Sequence, residues 1–134
     1  DKATEIIANG TFIVKNQPWS APYSPSVDSI VADTAYHFGE NSGVIVFSGM
    51  GNDGVIGGKI MQRNGGKLWV QSLSSCTSTS MPEAVIDGGG VDLIGTPEEL
   101  AEEFIKLSKE REYLIRRKYY AEQYRLKASG EGPQ

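Results

Sequence analysis

One stretch limits the possible folds of this chain more than any other: an unbroken apolar run at residues 44–47, followed by a glycine-rich turn at residues 49–54. Such a run, bounded by turn-forming residues, is typical of a strand buried on both faces in a parallel sheet. Asp53 is the only carboxylate in this turn. We therefore expect Asp53 just past the carboxyl end of a central strand and before a helix, where open α/β sheets place their functional sites.

Two motifs, PSVD at residues 25–28 and GMGNDG at residues 49–54, occur together with MPEA at 81–84 and GVD at 90–92. In this combination the chain resembles the catalytic domain of the CheB protein-glutamate methylesterases of bacterial chemotaxis. The resemblance spans roughly residues 1–105. It implies a doubly wound, mostly parallel α/β sheet with an edge β-hairpin. The chain would be the carboxy-terminal half of that domain, followed by a long helix.

The resemblance also implies an active site of the serine-hydrolase type. Asp53 matches the aspartate of the family's catalytic triad, which orients the histidine and stabilises its charged form. Met50, Gly51 and Asn52 would form the active-site loop, and the segment that contains Trp19 and Tyr23 passes near the site in the family. The residues alone leave simpler interpretations open: Asp53 could cap a helix that begins at Gly54, Met50 could only pack, and the two aromatics could pin a loop to the core.

The other two members of a triad are not evident in these 134 residues. No glycine-flanked serine follows a predicted strand; Ser48 lies one turn from Asp53, without a nearby histidine. His37, the only histidine, falls near the end of a predicted helix, where a solvated charge is expected. We therefore expect the chain alone to be inactive.

Composition and motif content exclude several other functional classes. The formal net charge of −4 gives no signature of nucleic-acid binding, and no apolar run is long enough to insert into a membrane. Cys76 is the only cysteine, which fits a reducing cytoplasm. The glycine-rich turn lacks the lysine and the serine or threonine of a P-loop, and no cluster has metal-ligand spacing. We expect no cofactor and no metal. The family resemblance implies a methyl-accepting chemoreceptor as the protein substrate and a receiver domain upstream.

Local signals predict the remaining elements. Asn9-Gly10 between two short apolar runs predicts a β-hairpin. Ser24 is expected to cap a helix with Pro25 at its first position, and Ser80 to cap one that starts at Pro82. A capping box at residues 96–99 predicts the start of the last helix. Further predicted elements are a helix at 55–63 and strands at 67–71 and 91–94.

The composition changes along the last predicted helix. We place a boundary between residues 1–107, the methylesterase part, and residues 108–134, a basic and tyrosine-rich extension whose final residues, 129–134, are expected to be disordered. Such a helix suggests docking onto a partner, with a homo-oligomer or a receptor as the candidates. The alternative function is therefore a non-catalytic interaction module that binds through this helix.

Overall fold

The computed structural model describes residues 2–7, 9–19 and 23–130. The chain divides into two compact units, Asp1–Leu100 and Ala101–Gln134. Along the chain the elements are β1 (Thr4–Ile6), β2 (Phe12–Val14), α1 (Val27–Phe38), β3 (Gly43–Val46), α2 (Val55–Arg63), β4 (Lys67–Gln71), α3 (Ser80–Asp87), β5 (Leu93–Gly95) and α4 (Pro97–Ala128). Short 3₁₀ turns occupy Gly39–Asn41 and Leu73–Ser75.

A parallel sheet in the order β3-β4-β5 confirms the predicted α/β class. The expectation that β3 is central and buried on both faces is wrong for the described residues. There β3 pairs only with β4, so Val44 and Ile45 are half-buried and Phe47 is 49 % exposed. The central strand is β4, whose Leu68 and Val70 are 1 % and 0 % exposed.

The core contains two clusters of small and medium apolar residues, and the half-buried Val44 of β3 packs against both. One cluster contains Val46, Leu68, Val70 and Val85, and the other contains Val31, Ala35 and Met61. The second cluster lies between α1 and α2, where Gly57 permits a close approach. A Cβ atom at Gly57 would lie 2.9 Å from Cβ of Val31 and 3.1 Å from Cα of Asp28. The missing side chain at residue 57 therefore brings the first turns of the two helices together.

The predicted Asn9-Gly10 hairpin is confirmed as the antiparallel pair of β1 and β2. Asn9 Oδ1 accepts a hydrogen bond from the Thr11 N–H at 2.9 Å, and Gly10 has φ +84°. The hairpin is a separate two-stranded sheet and does not extend the parallel sheet. Instead, the Ile6 N–H donates to Asp33 Oδ2 on α1 at 3.3 Å, which ties β1 to that helix.

Two of the three predicted helix starts are wrong in detail. The N-cap of α1 is Ser26, not Ser24, and its hydroxyl accepts from the Ser29 N–H. Helix α3 begins at Ser80 itself, and its N-cap, Thr79, makes no side-chain cap. The start of α4 is confirmed, since Thr96 Oγ1 accepts from the Glu99 N–H at 3.2 Å.

Helix α4 contains 32 residues and begins in the first compact unit, where Leu100 is 1 % exposed. Ser129 and Gly130 close it through backbone bonds to Arg125 and Lys127, and the rest of the predicted disordered end lies outside the described residues. The predicted boundary at residues 107 and 108 stays a prediction. No helix among the described residues combines the length and the hydropathy needed to cross a membrane.

Candidate active-site loop

Asp53 lies in the turn between β3 and α2, and its side chain is buried, with 5 % exposed. Its carboxylate accepts two short backbone hydrogen bonds from the first turn of α1. The Val27 N–H donates to Oδ2 at 2.7 Å, and the Asp28 N–H donates to Oδ1 at 2.9 Å. Because free N–H groups and the helix dipole make an amino terminus favourable for an anion, α1 holds the charged carboxylate in one orientation.

Asp28 makes the converse interaction with α2. Its Oδ1 accepts from the Gly54 N–H at 2.9 Å and from the Gly57 N–H at 2.7 Å. Gly54 is the N-cap of α2 and has φ +128°, a conformation that favours glycine. One carboxylate therefore satisfies two amides at the start of the second helix.

Together these bonds account for the amides that begin α1. Asp53 takes those of Val27 and Asp28, Ser26 Oγ takes that of Ser29, and the Ser26 carbonyl takes that of Ile30. The simpler interpretation of Asp53, as a cap of the helix that starts at Gly54, is therefore wrong. Asp53 caps the preceding helix instead, and Asp28 caps α2. Asp28 was not singled out from the sequence, although an acidic residue in a first helical turn is a recognisable signal.

The glycine-rich turn is attached to the loop between β4 and α3. Gly49 donates to the Ser78 carbonyl and accepts from the Met81 N–H, both at 3.1 Å. The Gly51 N–H, at φ +87°, donates to Ser80 Oγ at 3.0 Å. The Ser80 hydroxyl therefore binds this turn instead of capping a helix at Pro82, which is the physical reason that the predicted cap fails.

Gln71, at the end of β4, connects the loop that follows β3 with the loop that follows β4. It is 6 % exposed; its Oε1 accepts from the Ser48 N–H at 2.8 Å, and its Nε2 donates to the Ser75 carbonyl at 2.9 Å. Gln71 was not predicted from the sequence as a residue of this site. A polar residue that ends an otherwise apolar buried strand was the available signal.

The predicted loop residues beside Asp53 form a small surface. The Tyr23 hydroxyl donates to Asn52 Oδ1 at 2.7 Å and would lie 3.4 Å from a Cβ atom at Gly51. Met50 is 80 % exposed at the tip of the turn, so the interpretation of Met50 as a packing residue fails here. The structure therefore brings Tyr23, Met50, Gly51 and Asn52 together at the turn that contains Asp53.

Trp19 is placed differently. It lines a cavity of about 350 Å³ between the hairpin and α1, together with Lys15, Gln17, Ser29 and Asp33 among others. Within the described residues, no member of the turn at 49–54 lines this cavity. The structure therefore does not bring Trp19 together with the residues around Asp53, and its predicted place in the active-site loop stays untested.

Ser48 and His37, the serine and the histidine considered above as a nucleophile and a base, both have structural surroundings that do not fit those roles. Ser48 Oγ donates to the Ser78 carbonyl at 3.1 Å and accepts from the Ser78 N–H at 2.9 Å, so this hydroxyl is a loop bridge. His37 is exposed in the last turn of α1, where a positive charge suits the helix dipole. No group of three or more potential metal ligands occurs among the described residues.

The geometry defines what Asp53 can do chemically. A carboxylate has about four lone-pair positions, and two backbone amides use one on each oxygen of Asp53. The remaining positions can accept a further N–H without disturbing these bonds. A fixed, buried carboxylate with spare acceptor capacity can orient an imidazole and stabilise its protonated form.

A parallel sheet flanked by helices, with a fixed aspartate in the turn after one strand, places the chain among α/β domains whose sites lie at the carboxyl ends of strands. A profile of one family, CheB methylesterase, matches residues 2–104. The chain therefore belongs to the CheB methylesterase family.

Curated relatives agree with this assignment. The chain is 34 % identical over 89 residues to the protein-glutamate methylesterase/protein-glutamine glutaminase of Lawsonia intracellularis, an alignment that covers 66 % of the chain and 25 % of that relative. It is 30 % identical over 100 residues to a protein of the same description from Nitratidesulfovibrio vulgaris, with 75 % and 27 % covered. The chain thus spans about a quarter of the length of these relatives.

Among solved structures, the CheB methylesterase catalytic domain of Thermotoga maritima matches with a TM-score of 0.73 at 24 % identity. The match covers 80 % of this chain and 58 % of that domain. This likeness confirms the predicted fold, and the partial coverage fits a chain that carries part of a catalytic domain.

Proposed function

We propose that this chain is the carboxy-terminal part of a protein-glutamate methylesterase domain, in which Asp53 supplies the carboxylate of a serine-hydrolase triad. The observation that carries the proposal is the pair of short bonds from the Val27 and Asp28 amides, which fix the buried Asp53 carboxylate after β3. Family membership supports the reaction class, since the curated relatives are described as protein-glutamate methylesterases.

In this mechanism a serine hydroxyl attacks the ester carbonyl of a methylated glutamate, and a histidine takes the serine proton. The imidazolium then protonates the departing methoxide oxygen, which leaves as methanol, and water releases the acyl group by the same route. Asp53 accepts the second imidazole N–H, which selects the tautomer and stabilises the imidazolium. The serine and histidine come from polypeptide outside these residues, because Ser48 and His37 have the structural surroundings described above.

Tyr23, Met50, Gly51 and Asn52 form the part of the substrate surface that this chain contributes. The exposed Met50 side chain can contact the aliphatic part of a receptor glutamyl residue, and the Tyr23–Asn52 hydrogen bond keeps the neighbouring backbone in place. Trp19 belongs to this surface only if the segment that contains it approaches the site in the complete domain.

The same site would hydrolyse a glutamine side-chain amide, because the serine attacks an amide carbonyl as it attacks an ester and ammonia leaves in place of methanol. The printed description of the relatives as protein-glutamine glutaminases supports this second reaction. A cytoplasmic methyl-accepting chemoreceptor is the proposed substrate, and a receiver domain upstream is the proposed regulator.

A second function, a non-catalytic interaction module, is favoured by one specific observation. Large apolar side chains on α4 are exposed, including Phe104, Leu114 and Tyr124. A chain that binds partners through this helix would retain the loop around Asp53 only for stability.

A chimeric domain distinguishes the two proposed functions experimentally. Residues 1–105 would replace the matching segment of the Thermotoga maritima catalytic domain, and methanol release from methylated receptor would be measured. An active chimera supports the methylesterase function. A folded chimera that releases no methanol under conditions in which the unmodified Thermotoga domain does would support the interaction module. The isolated chain should release no methanol above background.

A further inference from the structure

Helix α4 exposes an unusual amount of apolar surface beyond Leu100. Among the described residues from Ala101 onward, all side chains are exposed except three half-buried ones, Leu107, Gln123 and Leu126. Its exposed large apolar residues are Phe104, Ile105, Tyr113, Leu114, Ile115, Tyr119, Tyr120 and Tyr124. Most of the stability of a protein helix comes from burying one face, so a helix with this surface is expected to have a partner.

A seven-residue repeat of apolar residues runs along α4 from the buried Leu100 and includes the exposed Leu114. Apolar residues recur at positions 100, 107, 114, 121 and 128, which is the spacing of one side of a coiled-coil seam. The other seam position carries Phe104 first and then Arg111, Lys118 and Arg125. In a parallel pair, Lys118 would face Lys118 of the second helix, and Arg125 would face Arg125. This seam therefore disfavours a parallel pair, because like charges would meet across it.

The charges along α4 are divided between its two halves. Residues 97–112 contain six glutamates and three basic residues, a net charge of −3, while residues 113–128 contain five basic residues and one glutamate, a net charge of +4. An antiparallel pair places the acidic half of each helix on the basic half of the other. In that arrangement Lys118 faces Leu107 and Arg111 faces Leu114 across the seam, and the aliphatic stems of these basic residues can cover the leucines.

We propose that α4 pairs with α4 of a second copy of this chain as an antiparallel two-helix coiled coil. Leu107, Leu114 and Ala121 form the seam, and its centre lies between Glu112 and Tyr113. In this register Leu107 faces Lys118, and Glu110 lies beside Arg117 of the second copy. The interface is independent of the methylesterase site and uses no residue of the loop around Asp53.

Sedimentation equilibrium on the full chain tests the association. We expect a dimer that dissociates as salt is raised, because the charge complementarity is solvent-exposed and screened. Leu114→Ser should raise the dimer Kd by about tenfold or more. Tyr113→Ser is the matched control: Tyr113 is adjacent and equally exposed, at 63 % against 58 %, but lies off the seam, so Kd should change little. Removal of residues 109–134 should give a monomer with a folded first unit.

Charge reversal tests the register. Glu110→Arg and Arg117→Glu should each weaken the dimer, and the double variant should restore it, since it returns two opposite-charge pairs across the interface. A persistent monomer at high concentration would overturn the proposal, as would equal effects of Leu114→Ser and Tyr113→Ser. Thermal melting of each variant checks that the first unit is intact.

Orientation is measured with spin labels on Lys127→Cys in a Cys76→Ser background. About 1.5 Å of rise per residue places the two 127 positions about 44 Å apart along an antiparallel pair. In a parallel pair they would be separated by roughly the 10 Å between helix axes. Labels on Tyr113→Cys, near the proposed centre, should be close. A short distance at position 127 would contradict the antiparallel arrangement.

Discussion

Asp28 and Asp53 exchange their capping roles: Asp53, which precedes α2, caps α1, while Asp28, in the first turn of α1, caps α2. Neither carboxylate serves the helix nearest to it in the chain. The exchange places the candidate triad aspartate at the contact of two helix amino termini, where four backbone N–H groups point at two carboxylates.

Substitution of Asp28 should give a graded loss of stability. Asp28→Ala leaves the Gly54 and Gly57 amides without their acceptor, and we expect the free energy of unfolding to fall by about 2–4 kcal/mol. Asp28→Asn should lower it by only about 1 kcal/mol, because Oδ1 alone accepts both bonds and an amide oxygen can replace it. Denaturant unfolding measures both. Asp87→Ala, an exposed carboxylate of α3, should change the value by less than about 0.5 kcal/mol. Equal losses for Asp28→Ala and Asp28→Asn would contradict this reasoning.

Asp53→Asn in the grafted Thermotoga domain should lower kcat by about 10⁴-fold, by analogy with the serine-protease triad. The cause is the loss of the acceptor that selects the imidazole tautomer, together with the charge that stabilises the imidazolium. Asp92→Asn is the matched control, because Asp92 Oδ2 also accepts a backbone bond, from Leu68 at 2.8 Å, but at the start of β4. Circular dichroism must show that both variants fold. Near-normal turnover in the Asp53 variant would leave Asp53 as a helix cap only.

Adjacent glycines of α2 should respond differently to alanine. Gly57→Ala would bring a Cβ atom within 2.9 Å of Val31 and 3.1 Å of the Asp28 backbone, so we expect a loss of about 1–3 kcal/mol despite the better helix propensity of alanine. At Gly58 the nearest atom, at 3.2 Å, is a terminal methyl of the buried Leu68, which has to shift by only a few tenths of an ångström. Gly58→Ala should therefore be nearly neutral. Thermal unfolding of the two variants decides the point, and equal Tm values would argue against a tight α1–α2 contact.

Gln71→Leu should destabilise the loops beside Asp53. The substitution leaves the Ser48 N–H and the Ser75 carbonyl without their side-chain partner, and we expect a loss of about 2–4 kcal/mol. Ser48→Ala removes only the hydroxyl bonds to Ser78 and should cost about 0.5–1.5 kcal/mol. A Gln71→Leu variant as stable as the parent would show that water replaces these bonds.

Local signals in the sequence were sufficient for the hairpin at Asn9-Gly10 and the start of α4 at Thr96. Each depends on residues within a few positions of one another. The cap of α1 by Asp53 joins residues 26 positions apart, so it becomes visible only when the two helices are packed. Ser80 could equally cap a helix or bond to another loop, and the nearby Gly51 amide determines which. The exposure of β3 depends on its neighbours in the sheet, which its own apolar pattern does not specify.

The exchanged caps link local opening at one helix to the other. If the turn around Asp53 swings away from α1, the Val27 and Asp28 amides lose their acceptor, and the Asp28 carboxylate moves away from Gly54 and Gly57. These four amides should therefore exchange with deuterium in one cooperative step and with a common opening free energy. Four unrelated exchange rates would show that the helices fray separately. With a common rate, Asp53 keeps its orientation only while both helix starts are closed, so the readiness of the carboxylate for chemistry is a property of a small cooperative unit.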